Sequence, residues 1–287
     1  MRIRTYVKKV LGKIAPNSFY VWINSSYALG YFINLRHPKS FNEKMNWLKV
    51  HDHNPEYTKM ADKYDAKTIV RNLAGDKYVV PCYGVWDSPD DICLDSLPNE
   101  FVLKCTHDCT SVIICRDKSN FDFTGAKEIL RKNLGRSYYE GLREWPYKNI
   151  KPRIIADMFL DDGREGELQD YKFWCFNGEP KIMYFTNKGK TGKCYENFYD
   201  MDFKPLNIDH GFPRRVPEYD KPAEFEEMKE IATKLSKGMP FVRIDLFDIK
   251  GHVYFGEFTF YDWGAGHPFN PRETDYKIGE LMKLPID

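Results

Sequence analysis

The chain has 287 residues, 42% of them apolar and 16% aromatic, and a net charge of +1. It can bury the core of one large or two to three small domains, and its composition gives no sign of disorder. The balanced charge excludes a global bias toward nucleic acid, no apolar run is long enough to span a bilayer, and no signal peptide with a small-residue cleavage site is visible.

Charge is nevertheless uneven along the chain. Arg2, Arg4, Lys8, Lys9, Lys13, Arg36 and Lys39 supply seven cations before the first acid, Glu43, so against a total of +1 the remainder carries −6. Residues 1–15 are expected to form a basic helix with Ile3, Val7, Val10, Leu11 and Ile14 toward one side. Such a helix either packs on the protein or makes peripheral contact with the inner face of an anionic membrane. The seven cysteines are odd in number and several lie in apolar strand patterns, which fits reduced thiols and a cytoplasmic protein. Cys105 and Cys109 have no convincing second pair, which argues against zinc.

The elements follow in order. Ser40-Phe-Asn-Glu43 is a capping box that opens a helix. Asn54-Pro55 opens a second, with Tyr57, Met60, Ala61, Tyr64, Ile69 and Leu73 at helical spacing and Gly75 as its stop. Short strands are expected at Tyr78–Val80 and Tyr83–Trp86, then a pair at Phe101–Lys104 and Val112–Cys115 around a polar loop. Thr124–Leu134 is a helix. Arg153–Leu160 and Tyr171–Phe176 are strands, and Asn177-Gly178 turns the latter into Lys181–Thr186. Glu224–Lys237 is an amphipathic helix, and a last helix lies near Asp275–Lys283. The mixture lacks strict βαβ alternation and points to α+β subdomains.

The most informative segment is a hairpin, Phe241–Phe247 and Val253–Thr259, joined by Asp248-Ile-Lys-Gly251. Alternation puts Arg243 and Asp245 on one face and Glu257 and Thr259 with them, Arg243 near Glu257 and Asp245 one step along. Val242, Ile244, Leu246 and Phe258 take the other face. Two carboxylates, a hydroxyl and a guanidinium suit Mg²⁺ and phosphate. A hairpin with one plain wet face alternates in the same way.

Upstream parts give the hairpin a context. A lysine ends the strand Phe-Val-Leu-Lys104, a Thr/Ser loop follows, then Ile155-Ala-Asp157-Met-Phe-Leu160 and Asp170-Tyr-Lys172-Phe. Together with Pro38-Lys-Ser-Phe-Asn-Glu-Lys44, Phe101-Val-Leu-Lys-Cys-Thr-His107, Arg143-Glu-Trp-Pro-Tyr-Lys-Asn-Ile-Lys-Pro-Arg153 and Phe241-Val-Arg-Ile-Asp-Leu246, these stretches resemble the TupA-like ATP-grasp family, named for teichuronopeptide biosynthesis. The likeness runs from about Pro38 to the C-terminus.

The resemblance implies an α+β ATP-grasp fold, two subdomains clasping a nucleotide, with a small, mainly helical N-terminal region. The expected divisions are residues 1–90 (N-terminal region and a first small sheet), 91–160 (Lys104 strand and phosphate lid) and 161–287 (metal-binding hairpin). It also implies site residues. Lys67 and Lys104 would bind the phosphates of ATP, with Thr106, His107 and Ser111 in the lid. Asp157 would accept from the adenine amino group, and Met158, Phe159 and Leu160 would complete the hinge. Asp170 would lie near ribose or metal, and Lys172 would steady the phosphates. Asp245, Glu257 and Thr259 match the metal trio, and Arg243 the arginine on the transferred phosphoryl group. Thr259 stands where Asn is usual, and the loop His107–Ser111 lacks the usual glycines, with Asp108 adding a negative charge.

The implied activity is ATP-dependent carboxylate–amine ligation through an acyl phosphate, joining an amino acid to a uronic acid or acidic glycan during cell-surface polysaccharide assembly. A kinase or glycosyltransferase of the same pathway, or a catalytically weakened nucleotide-binding relative, is the alternative. The turn Tyr261–His267 is expected to offer free Gly264 and Gly266 N–H groups to the acceptor carboxylate, with His267 as a proton acceptor or a plain surface histidine. Trp145, Tyr147, Trp174 and Trp263 are candidates for stacking on sugar rings, or packing residues.

Overall fold

A computed structural model describes residues 15–164, 168–188 and 194–285. The basic segment expected at residues 1–15 therefore lies almost wholly outside the described residues. Two antiparallel sheets carry the fold. The smaller has strand order β1-β4-β2-β3 and the larger β10-β9-β5-β6-β7-β8. In the smaller sheet β1 is Cys82–Trp86, β2 Phe101–Cys105, β3 Ile113–Cys115 and β4 Ile154–Met158. In the larger, β5 is Asp170–Phe176, β6 Glu179–Lys188, β7 Cys194–Tyr199, β8 Pro205–Leu206, β9 Phe241–Ile249 and β10 His252–Thr259. Among the described residues no helix is long and apolar enough to cross a membrane. All seven cysteines are free thiols.

Two expectations need correction. β1 is no separate small sheet but pairs with β4, so a division near residue 90 would cut through one sheet. Tyr78–Val80 forms no strand, because Asp76–Tyr78 closes into a 3-10 turn.

Local chemistry explains the elements that position the site. Ser40 Oγ accepts from the Glu43 N–H at 3.2 Å while Glu43 Oε2 accepts from Ser40 N–H at 3.2 Å, a complete capping box on helix Phe41–His51. The single helix expected after Asn54-Pro55 breaks into Glu56–Ala61 and Asp65–Leu73. Asp62 causes the break, since its Oδ1 accepts from the N–H groups of Tyr64 (2.8 Å) and Asp65 (2.9 Å) and so caps the second helix. Arg153 donates to Asp62 and Asp65, both at 2.9 Å, and fixes the break against the end of β4.

The hairpin β9–β10 turns on Lys250-Gly251, both at positive φ (55° and 86°), as a two-residue loop. Its register differs from simple alternation. Glu257 pairs with Asp245 and Thr259 with Arg243, and a bulge lies between Phe255 and Glu257. Without that bulge Glu257 would share a face with buried Val253 and Phe255. The extra residue, Gly256, shifts parity so that Phe258 enters the core and Glu257 leaves it. A Cβ on Gly256 would stand 3.0 Å from both the Asp245 carbonyl oxygen and the Phe247 ring, a tight contact that glycine avoids.

β5 and β9 pair with Lys172 opposite Asp245, Trp174 opposite Arg243 and Phe176 opposite Phe241. One shared face thus runs from an apolar floor, Phe176, Phe241 and Phe41, to a charged end. The opposite face packs on helix Phe225–Ser236, with Phe173 and Phe225 ring centroids 5.8 Å apart. Phe101, Leu103, Cys105, Ile154 and Leu130 form a separate small core behind the four-stranded sheet.

Candidate active site

The two sheets border a cleft of about 670 Å³. Lys67, Lys104, Asp157, Met158, Phe159, Leu160 and Asp170 all line it, together with Lys63, which the sequence pattern does not single out. A second hollow of about 620 Å³ shares Lys67, Val79 and Val80 with it, and neither lining includes Lys172, Arg243, Asp245, Glu257 or Thr259. The first adjoins that group, because its Asp170 accepts from Lys172 at 2.6 Å and its Lys63 stands 3.9 Å from Glu257.

At the β4 side, Asp157 is buried and reaches two lysines, Lys67 Nζ at 3.1 Å and Lys104 Nζ at 2.9 Å. Lys67 also donates to the Val80 carbonyl at 2.7 Å. Burial lowers the Lys67 ammonium below its ordinary pKa; Asp157 opposes this shift and Lys104 adds to it. Asp157 is thus committed to setting two cations into the cleft, an arrangement different from the free acceptor expected for an adenine amino group.

At the β9 side, Arg243 is the hub. Its Nε and Nη2 donate to Asp245 Oδ1 and Oδ2 at 2.6 and 2.7 Å, Nη2 also to Glu257 Oε1 at 3.1 Å, and Nη1 to Asp262. Lys172 donates to Asp170 at 2.6 Å and to Asp245 at 3.1 Å. Burial alone would raise the Asp245 carboxyl, but Arg243 and Lys172 outweigh it and hold it below the usual carboxylate range. Burial would likewise lower the Lys172 ammonium, but Asp170 and Asp245 hold it above its ordinary value. At Asp170 burial wins and the carboxyl is pushed up, with Lys172 opposing.

Thr259 Oγ1 donates to Glu257 Oε1 at 2.9 Å. Glu257 Oε2 is the least committed oxygen of the group, with Lys63 Nζ 3.9 Å away. Among the described residues no cluster of three or more His, Cys, Asp or Glu is placed to hold a metal. Asp245, Glu257 and Thr259 nevertheless fit Mg²⁺, which takes one or two carboxylates and completes its shell with water and phosphate oxygens. The lysines and the apolar hinge fit a nucleotide in the same way, cations for its phosphates and Met158 to Leu160 beside its base.

Several expectations give way to the geometry. Thr106, His107 and Ser111 are buried and are not among the residues lining the cleft. Ser111 Oγ accepts from Cys105 N–H at 2.7 Å and donates to Asp108 Oδ1 at 2.5 Å, so Asp108 folds back onto its own loop. The Gly264 and Gly266 N–H groups are spent on the Tyr261 and Trp263 carbonyls within their turn. His267 is half-buried, stacked on Phe212 at 5.3 Å and edge-on to His210 at 4.8 Å; burial, then His210, lowers its pKa. It is not among the cleft residues. Trp174 is fully buried, and its indole N–H donates to Asp262 at 3.2 Å, so it packs and cannot stack on a ligand. Trp145 stacks on His53 at 4.2 Å.

Two residues escape the sequence pattern. Asp262 is buried and accepts from Trp174, Tyr184 and Arg243. Its signal is an acid inside the aromatic run Phe260-Tyr-Asp-Trp263. Lys63 emerges from the helix break. Its N–H donates to the Thr106 carbonyl at 3.0 Å and its ammonium to the Asp108 carbonyl at 2.6 Å. It pins the glycine-free loop and reaches toward Glu257. Replacing Lys63 with Met is expected to weaken Mg-ATP binding about tenfold in titration calorimetry, the scale of one charge-assisted contact. Unchanged affinity would remove Lys63 from the site.

The sequence profile of the TupA-like ATP-grasp family matches residues 43–283. The chain belongs to the TupA-like ATP-grasp family. None of the curated proteins matches it. Solved structures similar to this family member include D-alanine–D-alanine ligase from Bacillus anthracis (14% identity, TM-score 0.38, 82% of this chain and 62% of that one). D-alanine–D-alanine ligase from Helicobacter pylori is 14% identical with TM-score 0.43, over 78% of this chain and 61% of that one. The ATP-grasp ligase PsnB, complexed with a phosphomimetic variant of its minimal precursor, Mg and ADP, is 10% identical with TM-score 0.42, over 81% and 60%. This chain thus spans about three-fifths of the length of these structures.

Proposed function

We propose that this family member is an ATP-dependent carboxylate–amine ligase whose carboxylate substrate is a uronic acid or acidic glycan and whose amine is an amino acid. One observation carries the reading: paired carboxylates, Asp245 and Glu257, stand with a guanidinium fork beside a lysine-lined cleft, linked to its Asp170 through Lys172 and to its Lys63 directly. Bound Mg-ATP would supply a transferable phosphoryl group. Lys67 and Lys104, set by Asp157, would hold phosphate oxygens, and Lys172 would add a third cation. Asp245 and Glu257 would hold the metal, and Arg243 would offset negative charge that develops during transfer. The protein's share of the work is placement and charge balance.

The test is ADP formation with D-glucuronate or D-galacturonate screened against the common amino acids. A ligase forms ADP at full rate when both the acid and the amine are present. ADP formation with a sugar hydroxyl as the phosphoryl acceptor, indifferent to the amine, would replace this reading with a kinase. Consumption of a sugar nucleotide without ATP would replace it with a glycosyltransferase.

A further inference from the structure

Helix Asn17–Leu29 buries one face and exposes large apolar side chains on another. Tyr20, Val21 and Leu29 are buried in the protein. Phe19, Ile23 and Tyr27 are 46%, 37% and 64% exposed, and their spacing of four lines them along one side. Phe32, beyond the left-handed cap at Gly30, is 79% exposed and stacks on Trp22 with ring centroids 5.5 Å apart at 8°. Phe19 stacks on Trp22 as well, at 6.1 Å. Large apolar side chains gathered this way form a patch, unlike the scattered single residues of an ordinary surface.

Charge identifies the partner. Residues 1–42 contain seven cations and no acid. Arg36 and Lys39 are exposed a few residues past Phe32. Arg2, Arg4, Lys8, Lys9 and Lys13 precede the helix in sequence. A partner for this region must accept aromatic and aliphatic side chains and also present dense negative charge. An anionic phospholipid leaflet does both: its headgroups meet the cations, and its acyl boundary takes Phe and Ile. The helix also adjoins the turn that follows the Glu257 strand, since a Cβ on Gly266 would stand 3.3 Å from the Ala28 Cβ.

We infer that the patch of Phe19, Ile23 and Phe32 seats this protein on an anionic bilayer and brings the Tyr261–His267 turn close to the lipid surface. The placement is independent of which reaction the cleft performs.

The test is co-sedimentation of the full chain with vesicles of phosphatidylcholine and phosphatidylglycerol in equal parts, and with phosphatidylcholine alone. The wild type should pellet with the anionic vesicles and remain largely in the supernatant of the neutral ones. The triple variant Phe19→Ser, Ile23→Ser, Phe32→Ser should lose at least about tenfold in partitioning, because each serine removes several CH₂ equivalents from the bilayer boundary. An unchanged melting temperature shows that the variant is folded. Equal partitioning of variant and wild type would overturn the proposal, as would a wild type that ignores anionic vesicles. A solution dimer that the triple variant dissociates would assign the patch to a second copy instead. Loss of binding on deleting residues 1–14, with the triple variant binding normally, would give the membrane role to the basic segment alone.

Discussion

Glu257→Gln is expected to lower Mg-dependent ADP release at least about a hundredfold, about 3 kcal/mol of transition-state stabilisation. The fold should hardly notice. The Glu257 side chain is 34% exposed and makes its contacts with Arg243, Thr259 and Lys63, most of which a glutamine oxygen can still accept. What glutamine cannot do is contribute charge to a divalent ion. The measurement is ADP formation set beside a thermal melt. Undiminished ADP release from the folded variant would take Glu257 out of the metal role.

Arg243→Leu is expected to act on stability. The guanidinium is surrounded by Asp245, Asp262 and Glu257, and two of these carboxylates are almost fully buried. Removing the cation strands buried charge, at a cost of about 3–5 kcal/mol in urea unfolding. The pH dependence has a definite sign. In the wild type Asp245 is held below its ordinary pKa by Arg243 and Lys172 against burial. Its contribution is therefore full above the unfolded carboxylate pKa of about 4 and is lost as pH falls through the lower folded value. In the variant burial is less opposed, the folded pKa moves up, and protonation relieves the buried charge. The stability gap should narrow from about pH 7 to about pH 4. A gap of constant size would mean that Asp245 keeps its charge without Arg243.

The hairpin face was legible because strand alternation and a Lys-Gly turn are local properties. The alternation by itself, however, would have buried Glu257. The bulge that rescues it depends on Gly256 lying against the Asp245 carbonyl of the partner strand, a contact invisible along one strand. The break at Asp62 was hidden for a similar reason. Apolar residues continue at helical spacing through Tyr64, and what decides is a side-chain cap held by Arg153, 91 positions away. Lys63 was lost with it. In the lid, the resemblance implied phosphate ligands, but Ser111 donates to Asp108 Oδ1 and both side chains turn inward. Strands β7 and β8 and the helix Asn17–Leu29 also went unread, the helix because its apolar residues face two ways and blur the period.

The ion pairs around Arg243 and Lys172 have a consequence for the order of events in the cleft. Each carboxylate suited to a metal already has a resident cation beside it, and each lysine suited to a phosphate has a resident carboxylate or carbonyl. Such a centre has little attraction for a bare divalent ion, which would meet cations, or for a bare triphosphate, which would meet carboxylates. A nucleotide carrying its own counter-ion would disturb neither balance, because its phosphates would exchange partners with the lysines while its ion exchanged partners with the carboxylates.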